Sequence, residues 1–119
     1  MKVLIVESNT SLSRVWGRHL ERHGAIVIQA ASETDAIAVL RMESVDIIVC
    51  NLLLEGGSAF AVADFASYRY PEARVVFVTA SSFFSDGSIF QHIPNACAFL
   101  PLGTPPEDLT ALVEHYGTH

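Results

Sequence analysis

Side chains that could bind an ion or take part in a reaction follow four short hydrophobic runs of the chain. They lie in residues 7–9, 51–57, 79–82 and 101–104. These segments supply carboxylates, amides and hydroxyls, whose oxygen atoms are the ligands that hard cations prefer. They can act as one site only if the fold brings them together, which depends on the elements that the rest of the chain forms.

Five short runs of mostly apolar, often β-branched residues predict β-strands. Each run is almost continuously apolar, which is typical of parallel strands covered on both faces. The predicted strands are residues 3–6, 25–28, 46–50, 74–78 and 96–100.

Between these runs, apolar residues recur with helical spacing and predict amphipathic helices. A helix over residues 85–93 is the least regular, because it contains Gly87 and stops at Pro94. The expected faces are Leu12, Val15, Trp16, Leu20 and His23 in the first helix; Ala36, Ile37, Val39 and Leu40 in the second; Phe60, Ala63, Asp64 and Ser67 in a weaker third; and Leu109, Leu112, Val113 and Tyr116 in the last.

Residues that begin and end helices lie at the boundaries of these segments. Thr10 or Ser11 can cap the first helix, and Gly24 can close it in a left-handed conformation. Ser32 can cap the second helix, and Pro105 and Pro106 suit the first turn of the last. The boundaries therefore support an alternation of strands and helices.

Five strand–helix units in succession predict a parallel sheet with right-handed crossovers and helices on both faces. In open sheets of this kind, ligands bind beyond the carboxyl ends of the strands. The four polar segments should therefore meet at one edge of the sheet. Because no linker, repeat or low-complexity stretch interrupts the pattern, residues 1–119 should form a single domain.

Composition excludes several classes of protein. Among 119 residues, 50% are hydrophobic, which is incompatible with intrinsic disorder. Seven basic residues against thirteen acidic ones give a net charge of −6, which argues against direct binding of nucleic acid. No apolar run reaches the roughly 18 residues that a membrane span needs. The N-terminus lacks a secretory pattern, so we expect a cytoplasmic protein that does not bind membranes.

Four segments carry a family resemblance: residues 1–9 (MKVLIVESN), 45–52 (VDIIVCNL), 75–80 (VVFVTA) and 99–103 (FLPLG). They resemble strands one, three, four and five of the receiver domain of two-component response regulators, a member of the CheY-like superfamily. The resemblance covers the whole chain. It implies a doubly wound (βα)5 flavodoxin-like three-layer sandwich, with five helices around a parallel five-stranded sheet of order 2-1-3-4-5.

At the positions where the family carries out phosphotransfer, this chain has different residues. Receiver domains have an acidic pair where Glu7 and Ser8 stand, and the phosphorylated aspartate corresponds to Asn51. Their lysine corresponds to Leu102, and only Thr79 keeps the expected hydroxyl. The resemblance thus implies a degenerate phosphoacceptor pocket that holds no metal or other cofactor.

Each replacement removes one component of the reaction. The amide of Asn51 is not the carboxylate nucleophile that forms an acyl phosphate. Glu7 is the single carboxylate left at the expected metal site, and Leu102 supplies no positive charge for a phosphoryl group. The only lysine of the chain is Lys2. Asn51 can instead donate hydrogen bonds, for example to Glu7.

These residues favour a non-enzymatic, phosphorylation-independent receiver that acts as a protein-interaction module in signalling. Two alternatives stay open. One is a conventional phosphorelay switch with an atypical acceptor site, and the other is a pseudo-receiver that senses a small ligand in the degenerate pocket.

Aromatic residues indicate where a partner would bind. Phe99 stands at the position of the family's aromatic switch residue, and Phe83, Phe84 and Phe90 surround the irregular fourth helix. In receiver domains the fourth helix, fifth strand and fifth helix form the usual output and dimerisation face. We therefore expect a signalling protein or a second copy of the chain to bind there. The expected acidic rim is Asp86, Glu107, Asp108 and Glu114.

Other residues capable of chemistry fit structural roles better. His19 and His23, like His115 and His119, have a spacing of four, but no third metal ligand lies near either pair. Cys50 and Cys97 lack metal-ligand spacing and lie in apolar runs, so the sequence predicts buried, reduced thiols. Cys50 should point away from the pocket, because it precedes Asn51 by one strand position.

Overall fold

Strands and helices alternate along the part of the chain that the computed structural model describes, residues 1–80 and 93–117. The strands are β1 (Lys2–Val6), β2 (Ile26–Ala30), β3 (Ile47–Asn51), β4 (Arg74–Thr79) and β5 (Ala96–Pro101). The helices are α1 (Thr10–Arg22), α2 (Glu33–Met42), α3 (Ala59–Arg69) and α4 (Pro106–Gly117).

All five strands are parallel and form one sheet in the order β2-β1-β3-β4-β5. The register pairs Val3 with both Val27 and Ile47. The predicted α/β fold class and strand order are therefore confirmed. Because the strands are parallel, all their carboxyl ends lie at one edge of the sheet, here named the carboxyl edge. Their first residues form the opposite, amino edge.

The central strands are buried on both faces. In β1, Val3 and Ile5 pack in one apolar cluster with residues of α1 and α4, whereas Leu4 and Val6 pack in another with residues of α2 and α3. Burying a side chain of this size stabilises a fold by roughly 1.5–3 kcal/mol. Two apolar layers thus hold the central strands, and the loops at the carboxyl edge start from fixed positions.

The edge strand β2 differs from the prediction. The sequence indicated a strand over residues 25–28 covered on both faces, but Ile26 is 61% exposed. β2 lies at the edge of the sheet, next to β1, so less of the molecule covers it. The strand also continues through polar Gln29, whose side chain donates a hydrogen bond of 3.0 Å to the Ser13 carbonyl on α1.

The face that α1 buries agrees in part with the prediction. Trp16 and Leu20 are buried, and Leu12 packs at the border of the same cluster. Val15 is 42% exposed and His23 is also exposed, so the prediction was wrong for these two residues. Val15 lies roughly 100° round the helix from Trp16, which places it outside the buried stripe.

The predicted face of α3 was mostly wrong. Of its four residues only Ala63 is buried, while Phe60 and Asp64 are exposed. The residues that α3 buries are Ala59, Val62, Ala63 and Ala66. Small side chains let the helix lie close to the sheet, which leaves the larger and more polar ones at the surface.

Most predicted helix boundaries agree with the structure. Ser32 caps α2 by accepting a hydrogen bond from Asp35 N, α4 begins at Pro106, and Gly24 has a left-handed φ of 90° after α1. The cap of α1 is not Thr10 or Ser11 but Asn9, whose Oδ1 accepts from Leu12 N at 3.1 Å.

The predicted helix over residues 85–93 lies almost entirely outside the described residues. The helices in residues 1–80 and 93–117 have 10 to 13 residues. None of them is long and apolar enough to span a bilayer.

Candidate functional site

The carboxyl edge brings together the residues that the sequence singled out. Glu7 and Ser8 follow β1, Asn51 ends β3, Thr79 ends β4, and Leu102 follows the last residue of β5. Because β1, β3, β4 and β5 are successive neighbours in the sheet, these side chains lie along one continuous edge.

Backbone hydrogen bonds extend the strand pairing into the loops at this edge. Leu52 N donates to the Val78 carbonyl at 2.8 Å, and Leu102 N donates to the Thr79 carbonyl at 3.0 Å. Glu7 N donates to the Ala30 carbonyl at 3.0 Å. The first residue of each loop is therefore fixed by the neighbouring strand.

Glu7 is a buried carboxylate, with 4% of its surface exposed. Its Oε1 accepts a hydrogen bond of 3.0 Å from Asn9 N. Within the described residues, Oε2 is buried and has no hydrogen-bond partner. A buried acceptor without a donor is unfavourable. Glu7 is therefore the residue of this site best suited to hold a cation or an added donor.

The neighbouring Cys50 thiol is protonated at neutral pH. Burial, together with the nearby Glu7 carboxylate, raises the pKa of Cys50 to about 12. Cys50 packs in the apolar cluster between the sheet and α2 and α3. It is a free, buried thiol, as the sequence predicted, and a protonated thiol is a poor nucleophile.

The Ser8 hydroxyl is occupied by backbone groups of two other loops. Its Oγ donates to the Ala31 carbonyl at 2.9 Å and accepts from Glu55 N at 3.1 Å. The Glu55 carbonyl also lies 3.4 Å from Oγ. Ser8 thus joins the loop after β1 to the loops after β2 and β3.

The Asn51 side chain also holds backbone. Its Oδ1 accepts a hydrogen bond of 2.9 Å from Leu53 N, two residues along the chain. The hydrogen bond to Glu7 that the sequence suggested is not formed among the described residues: Glu7 Oε1 accepts from Asn9 N, and Oε2 has no partner. Asn51 therefore stabilises its own loop.

Thr79 and Leu102 lie at the other end of the site. Thr79 is buried at the end of β4, with 7% of its surface exposed. Leu102 is half-buried and packs against the apolar cluster formed with α1 and α4. Leu102 thus extends the core at this end of the site and supplies no positive charge.

The carboxyl edge has acidic but few basic side chains. The loops 7–9, 31–32, 52–58 and 102–105 contain Glu7 and Glu55 but no lysine or arginine. The first turns of α2 and α4 add further carboxylates: Glu33, Asp35, Glu107 and Asp108. These loops therefore offer no fixed positive charge to a phosphoryl group.

The described residues contain no group of three or more His, Cys, Asp or Glu side chains that could hold a metal ion. His23 Nδ1 lies 2.9 Å from the His19 carbonyl, so this ring closes the end of α1. His115 packs edge-on against Tyr116 at 4.9 Å, while His119 lies outside the described residues.

The second cysteine was predicted to be buried, but Cys97 is only half-buried. Burial raises its pKa to about 11, although Arg74 acts in the opposite direction. It is a free thiol on β5 whose Sγ lies 3.5 Å from the Val75 carbonyl.

Phe99 belongs to an aromatic group that the sequence analysis missed. The Phe99 ring stacks on the Phe77 ring, with 5.2 Å between the ring centroids and an interplanar angle of 20°. The Phe60 ring also contacts Phe77, with a centroid distance of 6.0 Å. Phe77 and Phe99 are opposite each other in the register of β4 and β5. Pairing the two predicted strands in the sequence could have indicated this contact. Phe83, Phe84 and Phe90 lie outside the described residues, so their predicted role stays a prediction.

Solved structures that are similar to this chain include receiver domains of response regulators. A CheY-like receiver domain protein from Methanospirillum hungatei JF-1 matches with a TM-score of 0.89 and 19% identity, over 98% of this chain and 93% of that one. The non-phosphorylated HemR receiver domain from Leptospira biflexa has a TM-score of 0.87 and 20% identity, over 99% and 94% of the two chains.

A third similar structure is a response regulator from Burkholderia pseudomallei, which contains a phosphorylated aspartic acid, a calcium ion and citrate. Its TM-score is 0.84 at 20% identity, over 98% of this chain and 68% of that one. At these levels of identity the comparison establishes the fold, which is the α/β fold of response-regulator receiver domains.

The sequence itself matches a transcriptional regulator. It is 32% identical over 81 residues to the transcriptional regulatory protein YvrH of Bacillus subtilis strain 168, an alignment that covers 67% of this chain and 34% of the relative. The matched region thus spans about a third of YvrH. No protein-family model matches the chain.

Proposed function

We propose that this chain is the receiver domain of a two-component response regulator and that it acts without phosphorylation, as a protein-interaction module. The receiver fold of its structural neighbours and the similarity to a transcriptional regulator support the first part. We further propose that residues 1–119 form one domain and that it works in the cytoplasm.

One observation carries the second part: the side chain that ends β3 is the amide of Asn51, bound to Leu53 N. An acyl phosphate forms on a carboxylate, and a neutral amide does not attack phosphorus. Ser8 and Leu102 support the same conclusion, because one holds backbone and the other packs in the core. Three residues of the site therefore have structural roles.

The partner in this proposal is a signalling protein with a basic surface, or a second copy of the chain. It binds the face formed by β5 and α4. The side chains of β5 from Ala96 to Leu100 are half-buried, and Glu107 and Asp108 are exposed in the first turn of α4. Exposed carboxylates beside a partly apolar strand favour a basic partner.

Intact mass measurement after incubation with acetyl phosphate and Mg²⁺ tests phosphorylation independence. We expect no phosphoryl adduct on the wild-type chain, while a receiver domain with the aspartate gains one under the same conditions. Asn51→Asp alone should also stay unmodified, because Ser8 still gives the metal no second acidic ligand beside Glu7 and Leu102 gives the phosphoryl group no positive charge. A phosphoryl adduct on wild type would instead establish a conventional switch with an atypical acceptor.

A second candidate function, sensing of a small ligand, is favoured by the buried Glu7 Oε2, which has no partner among the described residues. A ligand with an N–H donor would satisfy this oxygen. Glu7→Gln should then abolish any ligand-dependent increase of the melting temperature in a screen of small amines. An equal increase for wild type and Glu7→Gln would contradict this candidate.

A further inference from the structure

Three side chains hold backbone amides of the loop between β3 and α3, residues 52–58. Leu53 N donates to Asn51 Oδ1 at 2.9 Å, and Glu55 N donates to Ser8 Oγ at 3.1 Å. Ser58 N donates to Glu33 Oε1 at 2.7 Å. The acceptors come from β3, from the loop after β1 and from α2, so the loop is attached to three parts of the molecule.

Two leucines anchor the same loop in the core. Leu52 and Leu54 are 6% and 8% exposed and belong to the apolar cluster between the sheet and α2 and α3. Leu53, which lies between them, is 59% exposed. The alternation of buried and exposed leucines shows that the loop has one defined orientation.

Gly57 makes the third attachment possible. Its φ is 144°, and a Cβ at this position would lie 2.4 Å from Glu33 Cβ. Any larger residue would therefore push Glu33 away from Ser58 N. The glycine and the carboxylate act together, because each is needed for the close contact of α2 with the loop.

We infer that Ser8, Asn51 and Glu33 hold this loop in a single conformation by themselves, so that it needs no ion or phosphoryl group to become ordered. The inference rests on the proposed function, since it assigns to two of the altered site residues the role of fixing the site. Neutral Ser8 and Asn51 also avoid the repulsion that further carboxylates would create beside buried Glu7.

Amide hydrogen exchange read by NMR tests the inference on the intact chain. Leu53, Glu55 and Ser58 N–H should be protected, whereas Gly56 N–H, for which residues 1–80 and 93–117 give no acceptor, should exchange fast. Mg²⁺ and acetyl phosphate should leave this pattern unchanged. Ser8→Ala should speed exchange at Glu55 roughly fivefold to tenfold, as expected for the loss of one hydrogen bond, while Ser8→Thr should restore protection.

Ser13→Ala is the matched control, because the Ser13 hydroxyl is buried without a hydrogen-bond partner among the described residues. It should not change exchange at Glu55. Equal exchange of Glu55 and Gly56 in wild type would overturn the inference even if Ser8→Ala failed to fold, and so would protection that appears only with Mg²⁺. A phosphoryl adduct together with an unchanged protection pattern would overturn the proposed function and leave this inference standing.

Discussion

At the scale of single residues, the polar side chains of the candidate site form hydrogen bonds to backbone groups of nearby loops. Ser8 and Asn51 each bind a backbone N–H of the loop after β3, and Leu102 joins an apolar cluster. Glu7 has a carboxylate that is buried beside Cys50. The site is therefore built to hold its own loops more than to bind an anion.

The Cys50 thiol should make the protein less stable at alkaline pH. Its pKa is about 12 in the fold against 9.0 for the free thiol. The folded state thus binds this proton more tightly, and the stabilisation is complete below pH 9 and decreases as the pH rises towards 12. Urea unfolding should show that the free energy of unfolding of wild type falls more than that of Cys50→Ala between about pH 8 and about pH 10.5. Above the free-thiol pKa, the difference should grow by up to about 1.4 kcal/mol per pH unit.

Cys97→Ala is the comparison for this prediction, because Cys97 is half-buried and its pKa of about 11 is raised less. It should reduce the alkaline loss of stability to a smaller extent than Cys50→Ala. Identical pH profiles for wild type and Cys50→Ala would contradict the prediction.

At the scale of elements, the order of strands and helices could be predicted because it depends on local patterns. Apolar runs indicated all five strands, and the position of Gly24 and Ser32 marked helix boundaries. Which face a helix buries depends on its neighbours in the fold, so it could not be predicted reliably for α3. Phe60 looked like a core residue, but the alanines of α3 lie against the sheet.

The hydrogen bonds of the site could not be predicted for the same reason. The contacts of Ser8 with Ala31 and Glu55 join residues that are 23 and 47 positions apart. No spacing rule indicates such pairs, because they follow from the sheet order and from loop conformation. The sequence could place Ser8 at the carboxyl edge, but not identify what its hydroxyl would bind.

The cap of α1 gives a sharp test at this scale, because the sequence predicted Thr10 or Ser11 and the structure has Asn9. Asn9→Ala should lower the free energy of unfolding by about 1 kcal/mol, since Leu12 N loses its acceptor. Thr10→Ala and Ser11→Ala should each change it far less. Urea denaturation of the three variants measures the difference, and an equal effect of Asn9→Ala and Ser11→Ala would contradict the assignment.

At the scale of the whole molecule, charge is distributed unevenly between the two edges of the sheet. Lys2 and Arg74 stand at the first positions of β1 and β4, and Arg22, Arg41 and Arg69 lie in the last turns of their helices. In this alternating fold, those helix ends lie towards the amino edge. The amino edge also has Glu43, Asp46 and Glu72, and Lys2 Nζ pairs with Glu43 Oε1 at 3.2 Å, so charges of both signs are mixed there. The carboxyl edge has mainly carboxylates, which favour a partner with a basic surface.

The exposed carboxylates in the first turn of α4 distinguish the two partners proposed for the face of β5 and α4. In a symmetric dimer the same patch meets itself, so both copies would bring Glu107 and Asp108 into one interface, where the added negative charges repel. Neutralising them as Glu107→Gln and Asp108→Asn should therefore strengthen self-association several-fold, and added salt should have the same effect on wild type. For a basic partner the same variant should weaken binding.

Sedimentation velocity over a concentration series, with and without acetyl phosphate and Mg²⁺, measures both effects. If the chain self-associates through this face, we expect a dimer whose population does not respond to the phosphodonor but rises with salt and with the neutralised variant. Glu21→Gln is the control, because it removes one exposed carboxylate in the last turn of α1, outside the face of β5 and α4. It should leave the proportion of monomer and dimer unchanged. A monomer at every concentration would exclude the second copy and leave a basic signalling protein as the partner. A shift in mass that requires the phosphodonor would contradict phosphorylation independence itself, because a site fixed by Ser8 and Asn51 has no means of transmitting such a signal.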